Sequence, residues 1–438
     1  MKSKLAFLIV LTLALSTGRL HANIQSIDEC KIAVSPKHII SLGFPIHEFR
    51  LKHIPKPKIL VVPFRLKNVE YKFDSSEREL FLEAKKNISN FSNGRSEIDF
   101  TFNSVIDIPT TAREMAQITL PHLSKKETWQ ERYAESTWGF VSRFITEQDS
   151  KINYSGFDAV ILISKSLSVE FTAAEAMIMS KDYNPWHQPM ETEEGPINNV
   201  AFHYNASVAR TVTHEIMHLY GLSDLYGSGF GVPSSLMGSH VIDLLAWEKW
   251  VLGWLADENV QCLSGSIKDD RELTTTIFNF DYSKSDQLLV IPTGEKKALV
   301  FDLVKRKDRS SVSFYSIDND VRPPIAAFPS NRFEFSTEIS QKQGIGTLIK
   351  SPEYSLLITD NDGQNLSLVL IPTNIVNSDA ALKLIADANL KEKKTADAQA
   401  QARASVIKKK TIICVKGKVT KKITAVKPKC PSDYKIRR

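Results

Sequence analysis

Residues 214 to 226 read His214-Glu215-Ile216-Met217-His218-Leu219-Tyr220-Gly221-Leu222-Ser223-Asp224-Leu225-Tyr226. On a helix, residues four apart share a face, so His214 and His218 present two imidazoles to one point with Glu215 beside them. Two neutral imidazoles and one further ligand hold Zn2+ and leave a position open for water, whose pKa falls to about 7 under the metal's charge. Glu215 then suits the role of general base, taking the water's proton and handing it to a leaving amine.

The flanks agree with a helix that stops just past the second histidine. Asn205 is expected to cap it, Val208, Val212, Ile216 and Leu219 recur at helical spacing, and Gly221 stands where a left-handed residue ends a helix. A glycine stop lets the backbone double back and brings Asp224 to the metal as third ligand, a carboxylate elsewhere being the alternative. Ser235-Leu236-Met237-Gly238-Ser239 reads as a methionine turn forming an apolar floor. His240, just beyond it, is either a second site residue touching substrate or an ordinary exposed loop histidine.

This pattern, followed by Leu236-Met237-Gly238 and by Ala246-Trp247-Glu248-Lys249-Trp250-Val251-Leu252-Gly253-Trp254-Leu255, resembles the immune inhibitor A family of secreted bacterial metallopeptidases. Upstream, Lys58-Ile59-Leu60-Val61-Val62-Pro63-Phe64 is similar to that family's first catalytic strand. Ser92-Asn93-Gly94-Arg95 with Glu97-Ile98-Asp99-Phe100, and Tyr154 to Leu162, are similar to later strands. The resemblance covers roughly residues 56 to 262 and is strongest between 210 and 255. It implies an α+β, zincin-like metallopeptidase domain, zinc-dependent endopeptidase activity on protein or peptide substrates, and often bound Ca2+. Metal ligands would be His214, His218 and Asp224, with Glu215 catalytic.

With 438 residues, 42% apolar and 24% charged, the chain is ordinary globular protein, long enough for two domains and appendages. Residues 1–22 read as a signal peptide: Lys2 and Lys4, an apolar run from Leu5 to Leu15, then small and polar residues up to Ala22. That run is too short to span a bilayer, and no later segment is a transmembrane candidate. The mature chain is therefore expected to be secreted or attached to a bacterial cell surface by other means. Residues 23–55 form an N-terminal segment or a short propeptide.

Four cysteines, Cys30, Cys262, Cys414 and Cys430, fit an oxidising compartment. Proximity favours Cys414 with Cys430, which leaves Cys30 to Cys262. A sharper alternative makes Cys30 a latency ligand on the metal.

After the 56–262 catalytic domain, residues 263–376 read as an all-β, sandwich-like domain, with strand-like runs at Leu288–Ile291, Ala298–Val304, Val312–Ile317 and Leu366–Ile371. Between two such runs, Asp360-Asn361-Asp362-Gly363 offers either Ca2+ ligands or a hairpin turn. Residues 377–410 lack Gly and Pro and read as a charged helical stalk or linker. Residues 411–438 form a basic two-cysteine tail of two short strands.

Charge is uneven. From Lys391 onward, 16 Lys or Arg face three acidic residues, so the tail is strongly basic on an otherwise acidic body. The tail is either an electrostatic attachment to an anionic envelope, through phosphate-bearing polymers or lipid headgroups, or a solubilising end without a partner. Nucleic acid does not fit, because no aromatic residues interleave the lysines.

Trp247, Trp250 and Trp254, spaced three and four apart, are expected to pack in the core rather than form a carbohydrate platform. Val200-Ala201-Phe202-His203-Tyr204 is a candidate edge strand for substrate backbone. Lys181 to Gly195 reads as a loop over the cleft or a disordered excursion. No G-x-S-x-G occurs, so serine-hydrolase chemistry has no case. Against the peptidase stands an inactive envelope-binding or adhesive protein built on a metallopeptidase scaffold.

Overall fold

The computed structural model describes residues 26–34, 39–119, 136–165, 173–178, 188–225, 235–238, 242–264, 277–281, 286–305, 310–319, 332–340, 345–350, 354–362, 364–406 and 410–437. The expected signal peptide and His240 lie outside those residues.

The first layer system is a six-stranded sheet built from β1 (Lys58–Arg65), β2 (Asp99–Phe102), β3 (Ile106–Asp107), β4 (Ala159–Ser164), β5 (Ala173–Ile178) and β6 (Asn199–Tyr204). Its order is β2-β1-β4-β6-β5, with β3 also on β1. β1, β2, β4 and β6 run parallel, and β5 is antiparallel to β6 at the edge. β1 and β4 are continuous apolar runs because both faces of the sheet are covered.

Alternation sorts the side chains. Ile59, Val61, Ile161, Ile163 and Ala201 face α1 (Ser75–Phe91). Leu60, Val62, Val160, Leu162 and Phe202 face α2 (Ala112–Thr119) and α3 (Thr137–Gln148) on the other side. α1 starts at a capping box, Asp74 accepting from the Ser76 and Glu77 amides while Glu77 reaches back to the Asp74 amide.

α4 (Ala209–Tyr220) lies beside α1, contributing Val212, Ile216 and Leu219 to the same core. Asn87 Nδ2 donates to Thr213 Oγ1 and ties the two helices. Asn205 does not cap α4. It has φ 59° and the residue at the cap is Val208, which makes no side-chain cap bond. The chain is still turning out of β6 at Asn205, too early to meet the first free amides of the helix.

α5 (Ala246–Val251) buries Trp247 and Trp250, and Trp254 follows them into the core, as their spacing predicts. Residues 39–54 are part of this core as well. Ile39, Ile40, Leu42, Ile46 and Leu51 are buried in it, and Trp247 Nε1 donates to the Leu42 carbonyl.

The later strands are β7 (Val260–Cys262), β8 (Ile277–Asp281), β9 (Leu288–Gly294), β10 (Lys297–Lys305), β11 (Ser310–Asp318), β12 (Arg332–Ser340), β13 (Leu348–Lys350), β14 (Tyr354–Asn361) and β15 (Asn365–Pro372). They form two sheets, β12-β11-β10-β9-β7 and β13-β14-β15-β8. Leu289, Phe301 and Phe314 from one meet Leu356, Leu368 and Phe280 from the other, a sandwich core. The outer face of the first sheet joins the Trp247 core through Val290, Val300 and Tyr315. β14 and β15 pair as an antiparallel hairpin, and Asp362 Oδ1 accepts from the Gln364 and Asn365 amides.

α6 (Asp379–Val406) is the helix expected of the 377–410 stretch, but its first half is not a free stalk. Ala381 and Ala388 are buried against Leu357, Val369 and Ile371 of the second sheet. The chain closes with β16 (Lys410–Lys416), β17 (Val419–Ala425) and β18 (Lys435–Ile436) in one small sheet, ordered β17-β16-β18. On the scale of the whole chain the architecture is α+β.

Both cysteine pairs expected from proximity are formed, Cys30–Cys262 and Cys414–Cys430. Cys30 is therefore bonded away from the histidines, which removes the latency-ligand alternative for this state. Among the described residues no helix is long and apolar enough to cross a membrane.

Candidate metal centre

α4 ends where its sequence says it must. Gly221 has φ 109°, its amide returns to the His218 carbonyl, and the Leu222 amide reaches the Met217 carbonyl. That reversal turns residues 222–225 back across the helix end. His214 Nε2 then lies 3.1 Å from Asp224 Oδ1, and His218 Nε2 lies 3.4 Å from the same oxygen.

Among the described residues, His214, His218 and Asp224 are the one group of His, Cys, Asp and Glu whose ligand atoms gather this closely, all within 4.8 Å of one another. A tetrahedral ion with metal–ligand bonds of about 2.0–2.2 Å separates neighbouring ligand atoms by about 3.4 Å. The two Nε2 to Oδ1 distances match that spacing.

The rings are held from behind. His214 Nδ1 is 3.0 Å from the Leu236 carbonyl, and His218 Nδ1 is 2.7 Å from the Leu222 carbonyl. A carbonyl only accepts, so each Nδ1 donates its proton there, which fixes the ring orientation and leaves Nε2 as the nitrogen turned toward Asp224 and toward any metal held between them. Asp224 is held below the usual carboxylate range. Burial opposes its charge, but the two imidazoles outweigh burial.

Glu215 is buried beside the cluster. Burial pushes its carboxyl up to about 8, aided by the charges of Asp224 and Glu175 and opposed by His214 and the Ala176 amide. Ala176 and Glu175 belong to β5, so the edge strand of the sheet runs past the helix that carries the cluster. Sequence alone leaves open whether Val200–Tyr204 is that edge, and the strand order decides it. That segment, β6, is an interior strand between β4 and β5, and among the described strands the edge belongs to β5.

Leu236, Met237 and Gly238 form a turn with Met237 fully buried. The Leu225 amide donates to the Met237 carbonyl, so the methionine turn and the Asp224 loop are pinned together. Behind it, Ser235 Oγ accepts from the Met237 amide and lies 2.8 and 3.0 Å from the Glu248 carboxyl oxygens. Nearby, Tyr315 Oη donates to Asp302 Oδ2 at 3.0 Å. Burial raises Glu248 to about 8 and Asp302 to about 7.

No protein-family model matches the chain, and no curated protein matches it.

Two groups of the site escape a reading by motif. Glu175 accepts from Trp138 Nε1 at 2.6 Å, and burial raises its carboxyl. Its signal was a carboxylate inside the apolar run Ala173-Ala174-Glu175-Ala176-Met177-Ile178. Glu248 had a weaker signal, an acid among the core tryptophans. Residues 188–197 fold back on the body, with the Glu193 amide on Asp149 Oδ2 and Glu194 Oε1 accepting from the Tyr154 amide.

Proposed function

We propose that this chain is a secreted zinc-dependent endopeptidase of zincin type. The observation that carries the reading is the convergence of two carbonyl-locked imidazoles and one carboxylate at ligand spacing, with the Glu215 carboxyl alongside. His214, His218 and Asp224 would hold the zinc. When bound, it supplies Lewis acidity and an acidified water.

The chain's own groups do the rest. Glu215 takes the proton of the attacking water and returns it to the leaving nitrogen, a role suited to a carboxyl whose burial brings its proton affinity near neutrality. β5 has no second strand partner among the described residues, and along that edge an extended peptide can add as a further strand, placing a backbone amide before Glu215. Parallel strands with an antiparallel edge, a histidine helix and a buried methionine turn support the zincin reading.

Two disulfides and the hydrophobic N-terminal run support export. The test is purification of the secreted form, elemental analysis, and casein cleavage with and without a chelator. About one zinc per chain with chelator-sensitive cleavage is expected. Zinc-free, inactive protein after metal loading overturns the proposal and transfers the function to the β sandwich and the basic tail.

A further inference from the structure

The C-terminal sheet is too small to own a core, and what it leaves uncovered has a definite chemistry. Between Lys410 and Arg437 the chain carries nine Lys or Arg and one acidic residue, Asp433. Among its large apolar side chains and cysteines, only Cys414 is fully buried, while Ile413, Val419, Val426 and Ile436 are exposed. Those four are among only nine large apolar side chains so exposed in all the described residues.

The two faces of this sheet differ. Antiparallel pairing puts partners on one side, so Cys414, Lys421, Lys416 and Val419 share a face, and Thr411, Ile413, Val415 and Lys422 share the other. The disulfide, ion-pair and cation–ring contacts with the return segment are on the Cys414 side. Cys414 is bonded to Cys430, Lys416 pairs with Asp433 at 3.0 Å, and Lys421 lies over the Tyr434 ring. On the opposite face, Val415 pairs with Lys435, and the Arg437 amide donates to the Ile413 carbonyl, which extends that ladder by one residue. Lys422, Lys435 and Arg437 therefore ring Ile413 and Val415, and none of the three cations has a carboxylate partner among the described residues.

We infer that this open face docks on a bilayer of anionic lipid, with Lys422, Lys435 and Arg437 on the phosphates and Ile413 entering the headgroup layer. Charge complementarity chooses an anionic partner. The central aliphatic pair chooses lipid over a soluble polyanion, since only a bilayer offers an apolar phase to receive it. Absence of an aromatic residue from the face removes the stacking that single-stranded nucleic acid needs. The inference stands apart from the peptidase reading, because binding is read without zinc or cleavage.

The test is cosedimentation of the full chain with vesicles of phosphatidylcholine alone and of phosphatidylcholine with phosphatidylglycerol. Binding is expected only to the second. Each cation is worth roughly fivefold in affinity, so Lys422→Glu/Lys435→Glu/Arg437→Glu should weaken it by more than about tenfold. Lys418→Glu/Lys427→Glu/Lys429→Glu makes the same charge change off the face and should weaken it less. Ile413→Ser should weaken lipid binding several-fold and leave binding to polyphosphate unchanged. Non-reducing peptide mapping of Cys414–Cys430 confirms that each variant keeps its fold. Equal losses from the two triple variants, no effect of Ile413→Ser on lipid, or no preference for phosphatidylglycerol would each overturn the inference.

Discussion

At the residue scale, zinc binding and proton transfer depend on a few atoms that can be altered singly. Asp224→Ala removes one of three ligands and is expected to lower zinc affinity by at least about tenfold, read by competition with a chromogenic chelator. An unchanged affinity would mean that another carboxylate completes the site. A second prediction concerns the buried acids behind the methionine turn. Glu248 and Asp302 are raised to about 8 and about 7 in the folded chain, against about 4 for unfolded carboxyls. The folded state therefore holds protons that the unfolded state has lost, and stability falls as pH rises through that interval. The contribution is complete below about pH 4 and gone above about pH 8. Between about pH 6 and about pH 9 the thermal midpoint should drop, and Glu248→Gln should flatten that slope. A slope identical in the variant would show that Glu248 does not carry it.

At the element scale, the decisive feature is how α4 stops. Gly221 sits at φ 109°, and a Cβ there would come within 2.6 Å of Ile46 Cγ2 and 3.1 Å of Arg50 Cγ. Gly221→Ala combines left-handed strain with a clash, so a loss of about 1–3 kcal/mol in stability is expected, with weaker zinc binding because Asp224 follows the turn. Chemical denaturation and zinc titration check it. This element was legible in the sequence: the two histidines four apart, the glycine three residues on and the methionine turn are local signals. The helix start was not. Asn205 has the right side chain, but the chain's turn out of β6 puts it three residues ahead of the structural cap. The edge strand was not legible for a related reason. Both β5 and β6 are short apolar runs, and which one lies outside depends on pairing between distant segments, which periodicity does not encode. Likewise, the alanine-rich start of α6 reads as a solvated stalk until the second sheet supplies a face for Ala381 and Ala388.

At the scale of the whole molecule, the N-terminal segment and the sandwich both reach the site. Ser41 donates its amide to the Gly221 carbonyl, Ile46 packs under that glycine, and Cys30 is bonded to Cys262 across 232 residues. Deletion of residues 26–54 should therefore give protein that fails to fold, because Ile32, Leu42, Ile46 and Leu51 leave the principal core. Circular dichroism and proteolysis of the truncated chain read the outcome, and a folded, zinc-binding product would identify the segment as dispensable. Replacing both Cys30 and Cys262 by serine should cost about 2–5 kcal/mol, since this bridge closes a very long loop. The sandwich bears on the site through Asp302 and Tyr315, which lie against the Trp247 helix that carries Glu248. Apart from the Cys30–Cys262 bridge, which the cysteine spacing foretells, these couplings have no signature in the local sequence, because each joins segments separated by tens to hundreds of residues.

The central claim is that Glu215 moves the proton in a metal-assisted peptide hydrolysis. Its most direct test is the rate of casein cleavage by Glu215→Gln beside the unaltered chain, with zinc measured on both preparations. Equal zinc and a rate lower by about 10²–10⁴-fold are expected. Undiminished cleavage by zinc-loaded Glu215→Gln would contradict that claim.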